Sequence, residues 1–376
     1  MTETLITTPR AFAKAIESQN TDLVRRLLDA GADPNLVGEI NRTPLLVAAY
    51  RGNADTVRLL LDSGAKIVPG DANYLHLAVH SGDPEIVQVF LAAGCDPRWQ
   101  RERGGHALHE ASHVETGDQL AIATLLLNAG ASPNLPIDHG TTPLHLAASR
   151  GNAPMVGLHL ECGGDPASVD SLGMTVLHYA VQYAGWGMRG DFGAVVSQLL
   201  DAGADPNAVC DPKKENKGAT PLILAAGAPL TLLKQLVDAG ADVNTADAAK
   251  RTPLGEALTN VENFAYLLSV GANIETLAKA SGKPALLTAT EHANVVAINA
   301  LLEAGSDPNT AYRGRLPLCV AASRMYPLRD VIAALLEGGA NPLLPDKTGA
   351  TAVDVAHERK TDWLLSLLDA ARLVKG

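Results

Sequence analysis

Along most of this chain, two short apolar-rich segments alternate with a polar break that ends in glycine. The stretch Thr142 to Pro166 shows the pattern most clearly. Thr142 reads as a helix N-cap and Pro143 as the first helical residue, where a missing N–H costs nothing. Leu144, Ala147 and Ala148 form one apolar face, and alanine there lets helices approach closely. His145, three residues after the cap, can reach back to Thr142 as a capping-box residue would. Gly151 stops this inner helix. Pro154 opens an outer helix whose apolar face runs from Met155 to Leu160, Gly163 closes it, and Asp165-Pro166 leaves in an extended, turn-prone conformation. The expected element is a helix–turn–helix followed by a hairpin finger.

The same pattern recurs from end to end. Thr-Pro reappears at Thr8-Pro9, Thr43-Pro44, Thr220-Pro221 and Thr252-Pro253, with degenerate versions at Asn73-Tyr74, His106-Ala107, Thr175-Val176, Pro284-Ala285, Leu316-Pro317 and Thr351-Ala352. Ala-Gly-Ala-Asp-Pro-Asn closes units at Ala30 to Asn35 and Ala202 to Asn207, with near copies ending at Asn134, Asn244 and Asn309. From Gly31 to Gly339, the closing glycines give nine intervals over 308 residues, between 30 and 40 each and about 34 on average. A fixed period of that length predicts a stacked solenoid in which each repeat touches only its neighbours.

Thr-Pro-Leu-His-x-Ala together with the Ala-Gly-Ala-Asp-x-Asn ending resembles the ankyrin repeat family from Thr8 to about Leu368. The resemblance implies an all-α ankyrin repeat solenoid of about eleven repeats including caps, as one domain over residues 1–376. Residues 8–42 are the expected N-terminal cap, where Arg10 and Lys14 replace apolar positions. Residues 43–350 are internal repeats, with irregular insertions near 98–118, 182–192 and 207–219, and residues 351–376 are the C-terminal cap. The family lines its concave face with inner helices and finger tips, where partners usually bind. It also gives His76, His109, His145 and His178 a structural turn role.

Composition adjusts this picture at three points. Aromatic residues are 4% of the chain, as expected for a core of Ala, Leu and Val stacked helix on helix. Four widely spaced cysteines, Cys95, Cys162, Cys210 and Cys319, form no C-x-x-C pair and read as reduced packing residues of a cytoplasmic-type protein. No secretory signal or membrane-length apolar run is visible, and the net charge of −11 opposes a nucleic-acid partner. The acids fall mostly at outer-helix ends, whereas fingers and groove carry Arg42, Arg51, Arg98, Arg101, Arg103, Arg150, Lys250, Arg251, Lys283, Arg313, Arg315 and Arg324 against Glu39, Glu102, Glu110, Glu256 and Glu291. That distribution predicts a groove more basic than the rest of the chain.

Deviations from the Thr142 to Pro166 pattern mark the candidate site. One finger places Trp99 among Arg98, Arg101 and Arg103; Trp and Arg are enriched at binding hot spots, while the bland alternative folds the indole back on the scaffold. The next repeat contains His109-Glu110-Ala111-Ser112-His113, which matches the zinc-hydrolase motif H-E-x-x-H with His109 and His113 as ligands. His80 and His106 are the nearby choices for a third ligand, and the competing reading leaves His109 structural and Glu110 and His113 as ordinary groove residues. The repeat at Thr175 is longer by about seven residues and carries Tyr183, Trp186, Met188 and Phe192 near Tyr179, either as a partner platform or as a local mini-core. The run Lys213-Lys214-Glu215-Asn216-Lys217 reads as a mobile solvated loop.

Two functions fit. The first is a monomeric, non-catalytic scaffold that uses no cofactor and binds a protein or peptide of anionic or mixed charge, or a small anionic ligand. Trp99, Arg101, Arg103, Glu110, His113, Arg150, Tyr179, Tyr183 and Trp186 are its expected contacts. The second is a hydrolase or lyase acting on an anionic substrate, with Glu110, His113, Tyr179 and Tyr183 as acid and base groups and zinc as the alternative cofactor. Delivery into a host cell is a further reading that nothing in the sequence tests.

Overall fold

The computed structural model describes residues 9–37, 43–67, 73–101, 105–113, 117–274, 277 and 283–375. They are all-α, with isolated two-residue bridges in three fingers, such as Gln100 with His106. Two compact units are present: Met1–Ala180 with Arg189–Ala204, and Val181–Met188 with Asp205–Gly376.

In the first unit, pairs such as Pro44–Arg51 with Ala54–Asp62 and Pro143–Ser149 with Ala153–Glu161 follow the expected helix–turn–helix. Inner helices pack on inner helices of adjacent repeats, and outer helices on outer. The core is made of small and branched side chains, including Ala48, Val57, Leu60, Ala147, Ala148 and Val156, all fully buried. Each outer helix starts on an Asx cap: Asn152 Oδ1 accepts from the Met155 amide at 3.1 Å and Asp118 Oδ1 from Ala121 at 3.0 Å. Arg10 and Lys14 are exposed, as an end cap requires.

The closing Asn fastens one repeat to the next. Asn134 Nδ2 donates to Gly163 O at 2.8 Å, and its Oδ1 accepts from the Asp165 amide at 2.8 Å. Asn207 makes the same pair with Gly240 and Asp242 in the second unit.

Longer repeats absorb their extra residues in one place. The chain returns to the stack through Gly117-Asp118 and Gly190-Asp191, where the Asp amides donate to Gly82 O (3.1 Å) and Gly151 O (2.8 Å). These contacts are so close that a Cβ on Gly117 would lie 2.1 Å from Gly82 O, and one on Gly190 2.4 Å from Arg150 O. In the repeat at Thr175 the insertion therefore precedes the glycine and lengthens the inner helix, which runs Val176–Gly185.

Shortened repeats change geometry as well. From Thr220 the pattern looks regular in sequence, yet the inner helices Pro221–Leu224 and Pro253–Glu256 tighten into 3₁₀ turns over Ala225–Gly227 and Ala257–Thr259. From Thr252 to the outer-helix cap Asn260 is two residues less than from Thr142 to Asn152, and Pro229 holds Ala228 extended. The buried Asn263 side chain satisfies the carbonyls this leaves, donating to Ala226 O (2.9 Å) and Ala228 O (2.8 Å). The lysine-bearing finger exposes Lys213, Lys214 and Lys217 to solvent and is also tied down: the Cys210 amide donates to Ala219 O at its base, and Arg251 Nη2 donates to Asn216 O.

Candidate partner-binding groove

The turn histidines are structural. Thr142 Oγ1 lies 2.8 Å from His145 Nδ1, and His145 Nε2–H donates to Met174 O in the next repeat at 3.3 Å. His178 repeats the Thr contact with Thr175, and His76 Nε2 meets Gly105 O at 3.1 Å.

The geometry of His109 and His113 argues against a zinc helix. His109 is buried and its Nε2–H donates to Thr141 O at 3.2 Å. The residue three before it is His106 rather than Thr, so the remaining lone pair, on Nδ1, is enclosed without a hydrogen-bond partner. Zinc needs that kind of lone pair directed at the metal. Burial lowers the pKa of His109 to about 4, helped by neighbouring His106. One turn on, exposed His113 has Nε2 at 2.8 Å from Arg150 Nη2, accepting from the guanidinium. Among the described residues, no three of His, Cys, Asp and Glu are grouped to hold a metal.

Glu110 lies on the inner-helix face, in the row that carries Val47, Leu77 and Leu146 in neighbouring repeats. Its Oε1 is 3.7 Å from His80 Nδ1 and its Oε2 3.8 Å from Arg101 Nη1 on the finger. Burial raises its carboxyl pKa against the opposing pull of Arg101 and His80. His80 in turn stacks on Tyr50, with centroids 5.7 Å apart and planes 7° from parallel.

The other expected contacts divide. Half-buried Trp99 packs edge-on with His76 at 6.0 Å, so the indole folds back on the scaffold. Tyr179 donates its hydroxyl to Asp170 Oδ2 at 2.9 Å, tying the residue to its own finger. Tyr183 packs on Trp186 at 5.0 Å, yet Trp186 remains 66% exposed. Phe192 enters the core. Arg103, like Arg42, Glu39 and Glu102, lies outside the described residues.

The second unit builds a charged cluster of its own. Glu291, on an inner helix, pairs with Lys283 and, at 2.7 Å, with Arg315. Burial opposes ionisation of Glu291, but the two cations outweigh it and its pKa falls. Arg324 Nη1 donates to the carbonyls of Thr290 and Glu291, and Arg359 to that of Arg324.

Two groups that sequence reasoning passed over matter here. Asp170 was hidden because a finger carboxylate looks like any turn residue. His159 was hidden because nothing local predicts its 2.8 Å contact with Ser112 Oγ, 47 positions away.

A family model for ankyrin repeats (three copies) matches residues 12–101, 75–158, 108–209 and 187–278. The chain belongs to the ankyrin repeat family. It is 34% identical over 197 residues to the nuclear factor NF-kappa-B p105 subunit of Gallus gallus, covering 50% of this chain and 19% of that protein. Ankyrin repeat and SOCS box protein 16 of Mus musculus is 36% identical over 245 residues, covering 61% and 52%. The human transient receptor potential cation channel subfamily A member 1 is 28% identical over 310 residues, covering 78% and 26%. The chain thus spans no more than about half the length of these relatives. Names as different as a nuclear factor and a cation channel indicate that the repeat, not one activity, is shared. Ankyrin repeats form protein–protein interaction scaffolds, and this chain carries one. No helix among the described residues is long and apolar enough to cross a membrane.

Proposed function

We propose that the chain binds a protein or peptide of anionic or mixed charge, through the inner-helix groove and the finger tips. The observation that supports it is that each unit sets basic finger or loop residues beside an inner-helix glutamate: Arg101 beside Glu110, with His80 of the preceding inner helix on its other side, and Lys283 and Arg315 beside Glu291. Outer helices end instead on acids, at Asp29, Asp62, Glu161, Asp201, Asp238, Glu303 and Glu337. A partner with acidic residues is therefore steered to the groove side by local field despite the net charge of −11. The same net charge disfavours a nucleic acid, whose every phosphate would feel it.

Affinity capture with the full chain as bait tests this reading. Reversing Arg101, Lys283 and Arg315 to Glu removes the captured proteins, while reversing Arg25 and Arg26 on an outer helix does not. Capture surviving the first change overturns the reading.

A further inference from the structure

We infer that Glu110 is an anchor for one basic side chain, lysine or arginine, of the protein partner. This rests on the groove reading above and refines it from mixed charge in general to a cation at one position.

The argument begins with the row in which Glu110 stands. Val47, Leu77 and Leu146 occupy the same place in neighbouring repeats of the first unit, half-buried and apolar, so a carboxylate there loses water without gaining a polar neighbourhood. Its side chain is 20% exposed, and Oε2 is buried with no hydrogen-bond donor. Among the described residues, the charged or titratable groups facing it are Arg101 from the finger and His80 from the preceding inner helix. Both stop short, at 3.8 and 3.7 Å, beyond the reach of a hydrogen bond. Arg101 is also 41% exposed and His80 52%, so water screens much of what they offer.

Glu291 supplies the contrast. Its carboxylate has two cations within bonding distance, Lys283 and Arg315, and is satisfied inside the chain. Glu110 is the under-compensated member of the pair. An ammonium or guanidinium entering along the inner-helix face supplies the missing donor, with the parallel Tyr50–His80 stack as one wall for its aliphatic stem. His113 does not compete for the carboxylate, being engaged by Arg150.

The experiment is a peptide array probed with the full chain. Host peptides of Gly, Ala, Tyr and Glu carry a single Arg, Lys, citrulline or Gln at each position in turn. Wild-type protein is expected to favour Arg or Lys over its neutral isostere by about 10-fold at one register, and Glu110→Gln to reduce that preference below about 2-fold. Thermal melting confirms that Glu110→Gln is folded; if it is not, Glu110→Leu, which copies Leu77 and Leu146, takes its place. A wild-type preference below 2-fold, or one that survives in the variant, overturns the assignment. Binding that tracks peptide Glu positions and disappears with Lys283→Glu and Arg315→Glu, without any Arg or Lys preference, rejects Glu110 as anchor and leaves the groove reading standing.

Discussion

At the residue scale, the histidines divide by what their nitrogens touch. His145 uses both ring nitrogens, one on the N-cap Thr and one on the next repeat's backbone, and His178 repeats the contact with its own cap Thr. That role was legible from Thr-Pro-Leu-His alone, because the spacing places the ring over the cap. The enclosure of the Nδ1 atoms of His109 and His159 was not legible, since it depends on helices that meet only after stacking. Both rings are buried as neutral groups, and burial holds each near a pKa of about 4. The unfolded chain takes up these protons near pH 6.5, the folded chain only near 4. Stability from this source is therefore complete at neutral pH and lost as pH falls from 6.5 towards 4. Each histidine should cost roughly 2 kcal/mol at pH 5 relative to pH 7.5. Urea unfolding at the two pH values checks this, and His159→Gln should reduce the difference by about one histidine's share. Zinc is not expected to matter: chelator treatment should leave the melting temperature where it was.

Elements carry the deviations from the regular repeat. The sequence showed that two inter-helix connections are long, and the aromatic residues of the second, Tyr183, Trp186 and Phe192, suggested either a partner platform or a local mini-core. It could not show that the extra residues of the second extend its inner helix to Gly185, nor that both connections re-enter through a glycine pressed against the previous repeat. That constraint predicts unequal glycines. Gly190→Ala, whose Cβ would meet Arg150 O at 2.4 Å, should destabilise by about 2 kcal/mol or more. Gly187→Ala, with φ +73° but no atom within 4 Å, should cost only about 1 kcal/mol. Thermal melts of the two variants compare them directly. The 3₁₀ turns after Pro221 and Pro253 were invisible for another reason: a deletion of one or two residues leaves hydrophobic periodicity intact while removing a helical turn. Asn263→Ala, which strips the donors from Ala226 O and Ala228 O, should cost about 2 kcal/mol by chemical denaturation.

For the molecule as a whole, repeat length and family were readable because stacking repeats the same packing problem about every 34 residues. The proposed binding face was only half readable. Composition indicated that fingers and groove are richer in cations than the outer helices, but not that Tyr179 is tied to Asp170, nor that Glu110 and Glu291 sit in opposite electrostatic states. Charge-steered recognition carries a salt signature, so capture through finger cations should weaken several-fold between 50 and about 300 mM NaCl, as screening shortens the reach of exposed charges. The most direct test of the account is hydrogen exchange on the full chain, alone and saturated with a captured partner. The account predicts slowed exchange in the inner helices and fingers, including Asn73–Ser81, Ala107–His113 and Ala285–Glu291. Protection confined to the outer helices would contradict it.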